Sequence, residues 1–482
     1  MSQEVKRQVF NPYLPPYEYI PDGEPHVFGD RLYIYGSHDR FDGKKFCMND
    51  YVCWSAPVTD LTDWYYEGGI YRRNQDPRMP QGEHELWAPD VVQGRDGRYY
   101  LFYCPDDNVK SIGVAVCDEP AGHYMFHGVV RDKDGCILGE RPGDTIPFDP
   151  GVFRDDDGTI YLYSGNGPRI KQDVGKEPKA SVVMILEDDM LTLKTEPRPL
   201  IPTVGNSEGT SFAGHELFEA SSIRKIRGKY YLVYSSVAFH ELCYAVSDRP
   251  DQGFEYGGVV VSHCDLFPGK EGKPLCAFGN NHGGLELING QYYIFYHRPT
   301  NRTMCSRQGC AERVEILEDG SIPQASITSC GLNDGPLDGK GTYPAAICCN
   351  LYGDQIPTFS NRFLMGQKHP YITQDAPDWS PGDEGNPPRQ YIANGKDGMT
   401  AVYKYFHFQG AKSISVTVRG SANGKLHLKL SPDSETVGTI GIAPAKEWTK
   451  YSGTVNIQDG DHALCFCYEG KGKLDFLEFD IE

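Results

Sequence analysis

No run of eighteen apolar residues occurs anywhere in this 482-residue chain, which excludes an ordinary membrane-spanning helix. Positive charge is scarce as well. Against 66 Asp and Glu there are 47 Lys and Arg, and the formal net charge of −19 argues against nucleic acid or an anionic membrane as partner. The opening stretch "MSQEVKRQVFNPYLPPYEYIPDGEP" lacks an apolar signal core and a small-residue cleavage site, so a cytoplasmic location is expected. C-x-x-C pairs and zinc-type His/Cys clusters are missing too, although the chain has 15 cysteines. Their odd number, the adjacent Cys348-Cys349 pair and their placement in strand-like runs such as "HALCFCYEG" suggest buried reduced thiols, not a disulfide framework.

What the chain does have is tyrosine, glycine and proline: 31, 54 and 34 residues. That mixture suits many short strands joined by turns. Five segments share one pattern, a polar group, a short apolar strand, a glycine turn and an aromatic strand. They are "DGEPHVFGDRLYIY" from Asp22, "DVVQGRDGRYYLFY" from Asp90, "DPGVFRDDDGTIYLY" from Asp149, "EASSIRKIRGKYYLVY" from Glu219 and "HGGLELINGQYYIFY" from His282. Their turn glycines, Gly29, Gly97, Gly158, Gly228 and Gly290, are 68, 61, 70 and 62 residues apart. A repeat of that length with strand chemistry predicts an all-β fold, a five-bladed β-propeller over roughly residues 10–325. A β-sandwich with coincidental spacing is the alternative.

Each unit opens with an ionisable residue seven to nine positions before its glycine. In a propeller the innermost strands begin beside the central axis, so Asp22, Asp90, Asp149, Glu219 and His282 are expected at one end of the channel. Clustered carboxylates repel and lose solvation, so a purely structural repeat would avoid them. Two carboxyls across a sugar ring, one protonated and one ionised, are the machinery of glycoside hydrolysis, and a third can tune the acid.

These residues carry a family resemblance. "YIPDGEPHVFGDRLYIYGSHD", "LWAPDVV", "FDPGVFRDDDG", "FEASSIRKIRGKYY" and "GNNHGGLELINGQYYIFYHR" resemble, in order and interval, glycoside hydrolase family 43 over roughly residues 10–350. The resemblance implies a five-bladed propeller that inverts the anomeric centre and cleaves α-L-arabinofuranosides or β-D-xylosides. It implies Asp22 as general base, Asp149 as modulator and orienter, and Glu219 as general acid. The family's base often stands in Asp-Pro, whereas this chain has Asp22-Gly23, which leaves Glu24 as the nearest alternative. Asp90, in the "WAPD" segment, reads as architectural. Trp87 is a candidate sugar-stacking ring or a core residue. Arg298 is a candidate anchor for sugar hydroxyls, a partner for a catalytic carboxylate, or a surface ion pair. By the same resemblance His282 holds a structural calcium through waters, or else is a satisfied core histidine; no cofactor is needed for the chemistry.

After "AERVEILEDGSI" the repeat stops. Residues 326–350 read as a Gly/Pro-rich connection, and 351–482 as a β-sandwich from segments such as "TAVYKYFHF" and "LDFLEFDIE". "GKGKLDFLEFDIE" and "EWTKYSGTV" resemble carbohydrate-binding module family 6, with Trp448 and Tyr451 as a candidate sugar platform or as core or propeller-contact residues; a structural or site-bordering role is expected for this domain. The expected activity is an inverting exo-glycosidase releasing α-L-arabinofuranose from arabinoxylan or arabinan oligosaccharides, with β-D-xylosidase activity as a second capacity. The expected partner is therefore an oligosaccharide from plant hemicellulose. A non-catalytic glycan-binding propeller is the rival from another class. A retaining fructan hydrolase is a third reading, against which stands the missing Trp-Met-Asn-Asp-Pro-like motif.

Overall fold

The computed structural model describes residues 7–482 apart from 107–108, 110, 141–143, 145, 169–178 and 268–271. The chain is all-β, and the only α-helix among the described residues is the short Arg362–Lys368. No helix among them is long and apolar enough to cross a membrane. All fifteen cysteines are described, and each is a free thiol.

Residues 24–314 form five antiparallel sheets in chain order, four of four strands and a fifth of three. Their first strands are Glu24–Phe28, Asp90–Gln93, Gly151–Arg154, Leu217–Ile226 and Leu285–Ile288. Each first strand turns into the second at one of the five predicted glycines, all in the left-handed region (φ +64°, +84°, +83°, +81° and +85°) that side chains resist. Along each second strand the residues alternate between two neighbours. In Arg31–Tyr35, Tyr33 and Tyr35 pack toward the second sheet, while Leu32 and Ile34 pack toward the fifth. Separate apolar clusters fill the spaces between sheets one and two, two and three, three and four, four and five, and five and one. The first strands also touch in that cyclic order, so the five sheets close into a ring around them.

The closure is tight. A Cβ on Gly151 would lie 2.2 Å from the Ser221 carbonyl oxygen, so the Gly of "DPG" lets the third and fourth first strands meet. A Cβ on Gly284 would lie 2.8 Å from both carboxylate oxygens of Glu24 across the channel.

The remaining chain forms two six-stranded sheets enclosing one core that includes Tyr403, Leu426, Phe466, Val416 and Phe479. The stretch 326–350, expected as a connection, is partly woven into these sheets. Leu337–Asp338 pairs with Phe406 and His407, Gly341–Pro344 with the final strand, and Asn350–Tyr352 with Thr400–Val402. Its glycines and prolines punctuate short strands whose partners are distant in sequence. Arg298 lies at this seam, donating to the carbonyls of Cys348 (2.9 Å) and Ala346 (2.8 Å).

Candidate active site

A pocket of about 340 Å³ opens at one end of the ring, lined by Asp22, Asp149, Glu219 and His282 together with Trp87, Phe46, Phe148, Phe218, Phe239, Met304, Asn166, Asn280 and Arg307. Four of the five repeat-leading residues thus meet there. The three acids are all at least 94 % buried, with exposures of 4 %, 4 % and 6 %.

Local backbone aims them. Asp22 and Asp149 precede their strands with φ of +55° and +43°, an uncommon conformation for a non-glycine residue and one that functional sites retain. Glu219 sits where the pairing of its strand with Lys229–Ser236 slips twice, around Leu217/Glu219 and Glu219/Ser222. Such bulges redirect a side chain. Ala220, at φ +71°, completes the kink, and its N–H donates to Asp149 Oδ2 at 3.1 Å. The modulator candidate thereby grips the backbone next to the acid candidate.

The electrostatics separate the carboxyls. Asp22 Oδ1 accepts from Arg307 Nη1 at 2.9 Å. Burial is the largest single influence and opposes its charge, yet the guanidinium, together with smaller contributions from the other groups around the carboxyl, holds it below the ordinary range. Asp149 behaves oppositely: burial and the adjacent Glu219 carboxylate push it well above the ordinary range, so the Asp149–Glu219 pair holds a proton more firmly than an isolated carboxyl.

A hydrogen-bonded chain links the two sides. The Asp22 N–H donates to His297 Nδ1 (3.2 Å), and His297 Nε2 stands 2.8 Å from the Asn280 carbonyl oxygen. Asn280 Nδ2 donates to Glu219 Oε1 at 3.4 Å, and Asn166 Nδ2 to Glu219 Oε2 at 3.3 Å. Burial pushes His297 down to about 3, so it is neutral, with its proton on Nε2.

The residues that sequence reasoning missed belong to this frame. Arg307 is fixed by Asp39, which accepts from Nε (2.9 Å) and Nη2 (3.0 Å), and by the Phe46 ring 4.7 Å from its guanidinium carbon. Arg298, the expected sugar or carboxylate contact, points elsewhere. It pairs with Gln308 while Arg307 pairs with Pro299, and successive strand residues face opposite sides. The guanidinium beside the carboxylate is therefore the one on the next strand.

Asp90 stays out of the pocket. It accepts from Val91 N–H (2.6 Å) and Val152 N–H (2.7 Å) and stands 2.7 Å from His26 Nε2, tying the second sheet to the third and first. Glu24, the rival base, also lies deeper, accepting from Ser222 Oγ (2.7 Å) with Arg224 Nη2 at 2.9 Å. Trp87 lines the pocket edge-on to Phe148, with ring centres 5.2 Å apart.

The residues around His282 do not fit a directly ligated calcium. Its Nδ1 stands 3.5 Å from Asp149 Oδ2 and 4.0 Å from Asp22 Oδ1, but Asp22 is claimed by Arg307 and Asp149 by the Ala220 amide. Calcium takes six to eight oxygens, so a calcium beside His282 would take most of its ligands from waters, as the resemblance implies. Deeper in the channel, Glu24, His26 and Asp90 bring ligand atoms together, but the Arg224 guanidinium, between Glu24 and Glu286 (3.3 Å), already supplies the positive charge. A neutral His282, pushed down to about 4 by burial, fits as an uncharged wall between two carboxyls.

An ionised carboxylate facing a proton-holding carboxyl pair, in a small pocket walled by aromatic rings, is the equipment of an enzyme that splits glycosidic bonds by acid–base chemistry. Residues 19–322 match Glycosyl hydrolases family 43. The chain belongs to that family and is a glycoside hydrolase. It is 51% identical over 484 residues to a xylosidase/arabinosidase of Thermoclostridium stercorarium, covering 99% of each chain. Among solved structures, the GH43_1 enzyme from Xanthomonas citri is 26% identical with a TM-score of 0.52, covering 68% of this chain and 96% of that one. A family 43 arabinoxylan arabinofuranohydrolase from Bacillus subtilis shares the fold over 97% of this chain and 96% of its own (TM-score 0.50, 21% identity).

Proposed function

We propose that this enzyme is an inverting, exo-acting hydrolase that releases α-L-arabinofuranose from arabinoxylan- or arabinan-derived oligosaccharides and β-D-xylose from xylo-oligosaccharides. The observation that carries the reading is that three buried acids meet in one pocket in opposed settings, Asp22 against the Arg307 guanidinium and shifted down, Asp149 beside Glu219 and shifted up. The full-length likeness to a xylosidase/arabinosidase supports the two sugars. A volume of about 340 Å³ is at the small end of ligand pockets and suits a terminal residue.

In the proposed step Asp22 takes a proton from a water molecule as the water oxygen bonds to the anomeric carbon. The bond from that carbon to the leaving oxygen breaks, and Glu219 gives that oxygen its proton. Asp149 keeps the proton on the acid side through its charge and aims Glu219 through the Ala220 amide. Arg307 keeps Asp22 ionised. The five-sheet ring reads as a five-bladed propeller over residues 1–325 and the final two sheets as a β-sandwich, joined through 326–350. The fifteen free thiols favour a reducing compartment and hence short, soluble substrates.

The test is product analysis with an arabinofuranosyl-substituted xylo-oligosaccharide and, separately, xylobiose. Arabinose from the first and xylose from the second are expected, each reduced by about 10²–10⁴ in Glu219→Gln, the usual worth of a general acid. A folded enzyme that turns over neither would overturn the reading.

A further inference from the structure

Among the described residues the final two sheets supply none to the pocket lining, yet residues 358–378, which lie among their strands, reach the pocket walls from two sides. On the acid side, Phe359 meets Phe239 edge-on, with ring centres 5.3 Å apart at 74°. Phe239 in turn stacks on Phe218 (4.7 Å, 28°), the residue before Glu219, and both rings line the pocket. The Ser360 N–H donating to the Phe278 carbonyl (2.8 Å) fixes Phe359 in place.

On the base side, the loop 36–50 leaves the strand Arg31–Tyr35 and carries Asp39, Phe46 and Cys47. It forms no strand or helix, and Asp42 and Cys47 hold φ of +56° and +57°, a conformation kept only where surroundings impose it. Its tip is gripped from the C-terminal side. Asp378 Oδ1 accepts from the Phe41 N–H at 2.7 Å, and Oδ2 from Asn49 Nδ2 at 3.3 Å. Arg362 Nη2 donates to the carbonyls of Asp42 (2.7 Å) and Gly43 (3.2 Å). The inner end of the same loop supplies Asp39 to Arg307, and Arg307 holds Asp22.

We propose that Phe359, Arg362 and Asp378 are positioning residues that set the spacing between the acid wall and the base wall, so that residues 358–378 govern which sugars the pocket accepts. The inference rests on the proposed hydrolytic reading of the same pocket. It does not draw on Trp448 and Tyr451, whose contacts lie within the C-terminal sheets. Arg419 covers the Trp448 ring at 4.2 Å, Tyr391 meets its edge at 5.4 Å, and the Tyr451 hydroxyl donates to the Ala443 carbonyl. In this proposal the C-terminal part connects to catalysis through 358–378.

The test uses the full-length enzyme with aryl β-D-xyloside and aryl α-L-arabinofuranoside. Asp378→Ala is expected to raise KM about tenfold and to move the acidic limb of kcat/KM upward, because a loosened Asp39 weakens the hold of Arg307 on Asp22. Asp378→Asn keeps an acceptor for the Phe41 amide and should restore both. Phe359→Ala should raise KM by a similar factor while leaving the acidic limb in place. Trp448→Ala is the control, expected to change neither. Amide exchange over residues 38–50, faster in Asp378→Ala, reads the brace independently of turnover. Unchanged KM, limb and exchange in Asp378→Ala would overturn the proposal, as would an equal effect of Trp448→Ala. An active wild type with these results condemns the brace alone. A wild type inactive on both glycosides, yet with faster exchange in Asp378→Ala, condemns the functional reading and leaves the brace standing.

Discussion

Replacing Arg307 by Met is the sharpest perturbation of the site, because one side chain there serves two buried carboxylates. Asp39 takes two of its hydrogen bonds and Asp22 one, all between 2.9 and 3.0 Å, and Arg307 is only 2 % exposed. Met fills similar length and leaves both acids unpaired. Removing one partner of a buried ion pair costs about 3–5 kcal/mol, so urea denaturation should show a loss in that range. The catalytic effect has a separate signature. A neighbouring positive charge lowers a carboxyl by about 1–3 pH units, and burial alone raises it. Without the guanidinium, Asp22 should therefore rise, and the acidic limb of kcat/KM should move up by about 2 units. Arg307→Lys keeps the charge but cannot span both acids, so it should lose stability while moving the limb less. A folded Arg307→Met enzyme whose acidic limb coincides with the wild type would refute the assignment of Arg307 as the group that keeps Asp22 ionised.

Other expectations follow from the same packing and charges. Gly151→Ala would drive a Cβ to 2.2 Å from the Ser221 carbonyl, so a stability loss of about 1–3 kcal/mol and a larger loss of turnover are expected; a neutral substitution would show that the two strands separate freely. Burial holds Asp90 up at about 7 and Glu312 at about 8, so between pH 7.5 and 8.5 the folded state keeps protons that the unfolded chain has lost. Stability should then fall with rising pH, by up to about 1.4 kcal/mol per unit for each group. In that window the histidines that burial holds low, His26, His282 and His297 among them, are neutral when folded and about nine-tenths neutral when unfolded, so they contribute little. Glu312→Gln should flatten the slope measured by thermal denaturation, and an unchanged slope would remove Glu312 as its source. Because Arg224 and Arg307 already supply positive charge beside the channel acids, chelation should leave Tm and kcat/KM unchanged. A Tm loss restored by calcium would contradict that.

Sequence reasoning reached the local part of this design. Turn glycines, tyrosine-rich strands and an ionisable residue seven to nine positions ahead of the glycine are all written within fifteen or so residues, and each of the five sheets repeats them. What it could not reach is set by contacts between distant residues. Arg307 meets Asp22 from 285 positions away, and only the strand register distinguishes it from Arg298. Asp90 has the same offset from its glycine as Asp22, but the Val152 amide of the neighbouring sheet captures its carboxylate. The Gly/Pro-rich stretch 326–350 reads as a connection because its short strands carry no alternation of their own. Their partners, near 401, 406 and 480, supply the reason they are strands.

The most direct measurement of the central claim, that Asp22 and Glu219 act as base and acid on opposite faces of the sugar, is proton NMR of the first-formed product from an arabinofuranosyl-substituted xylo-oligosaccharide. Arabinose should appear first in the inverted anomeric configuration, and this signal should vanish in Glu219→Gln. Arabinose released first with retained configuration would mean that a carboxylate attacks the sugar directly, and the roles assigned to Asp22 and its Arg307 partner would be wrong.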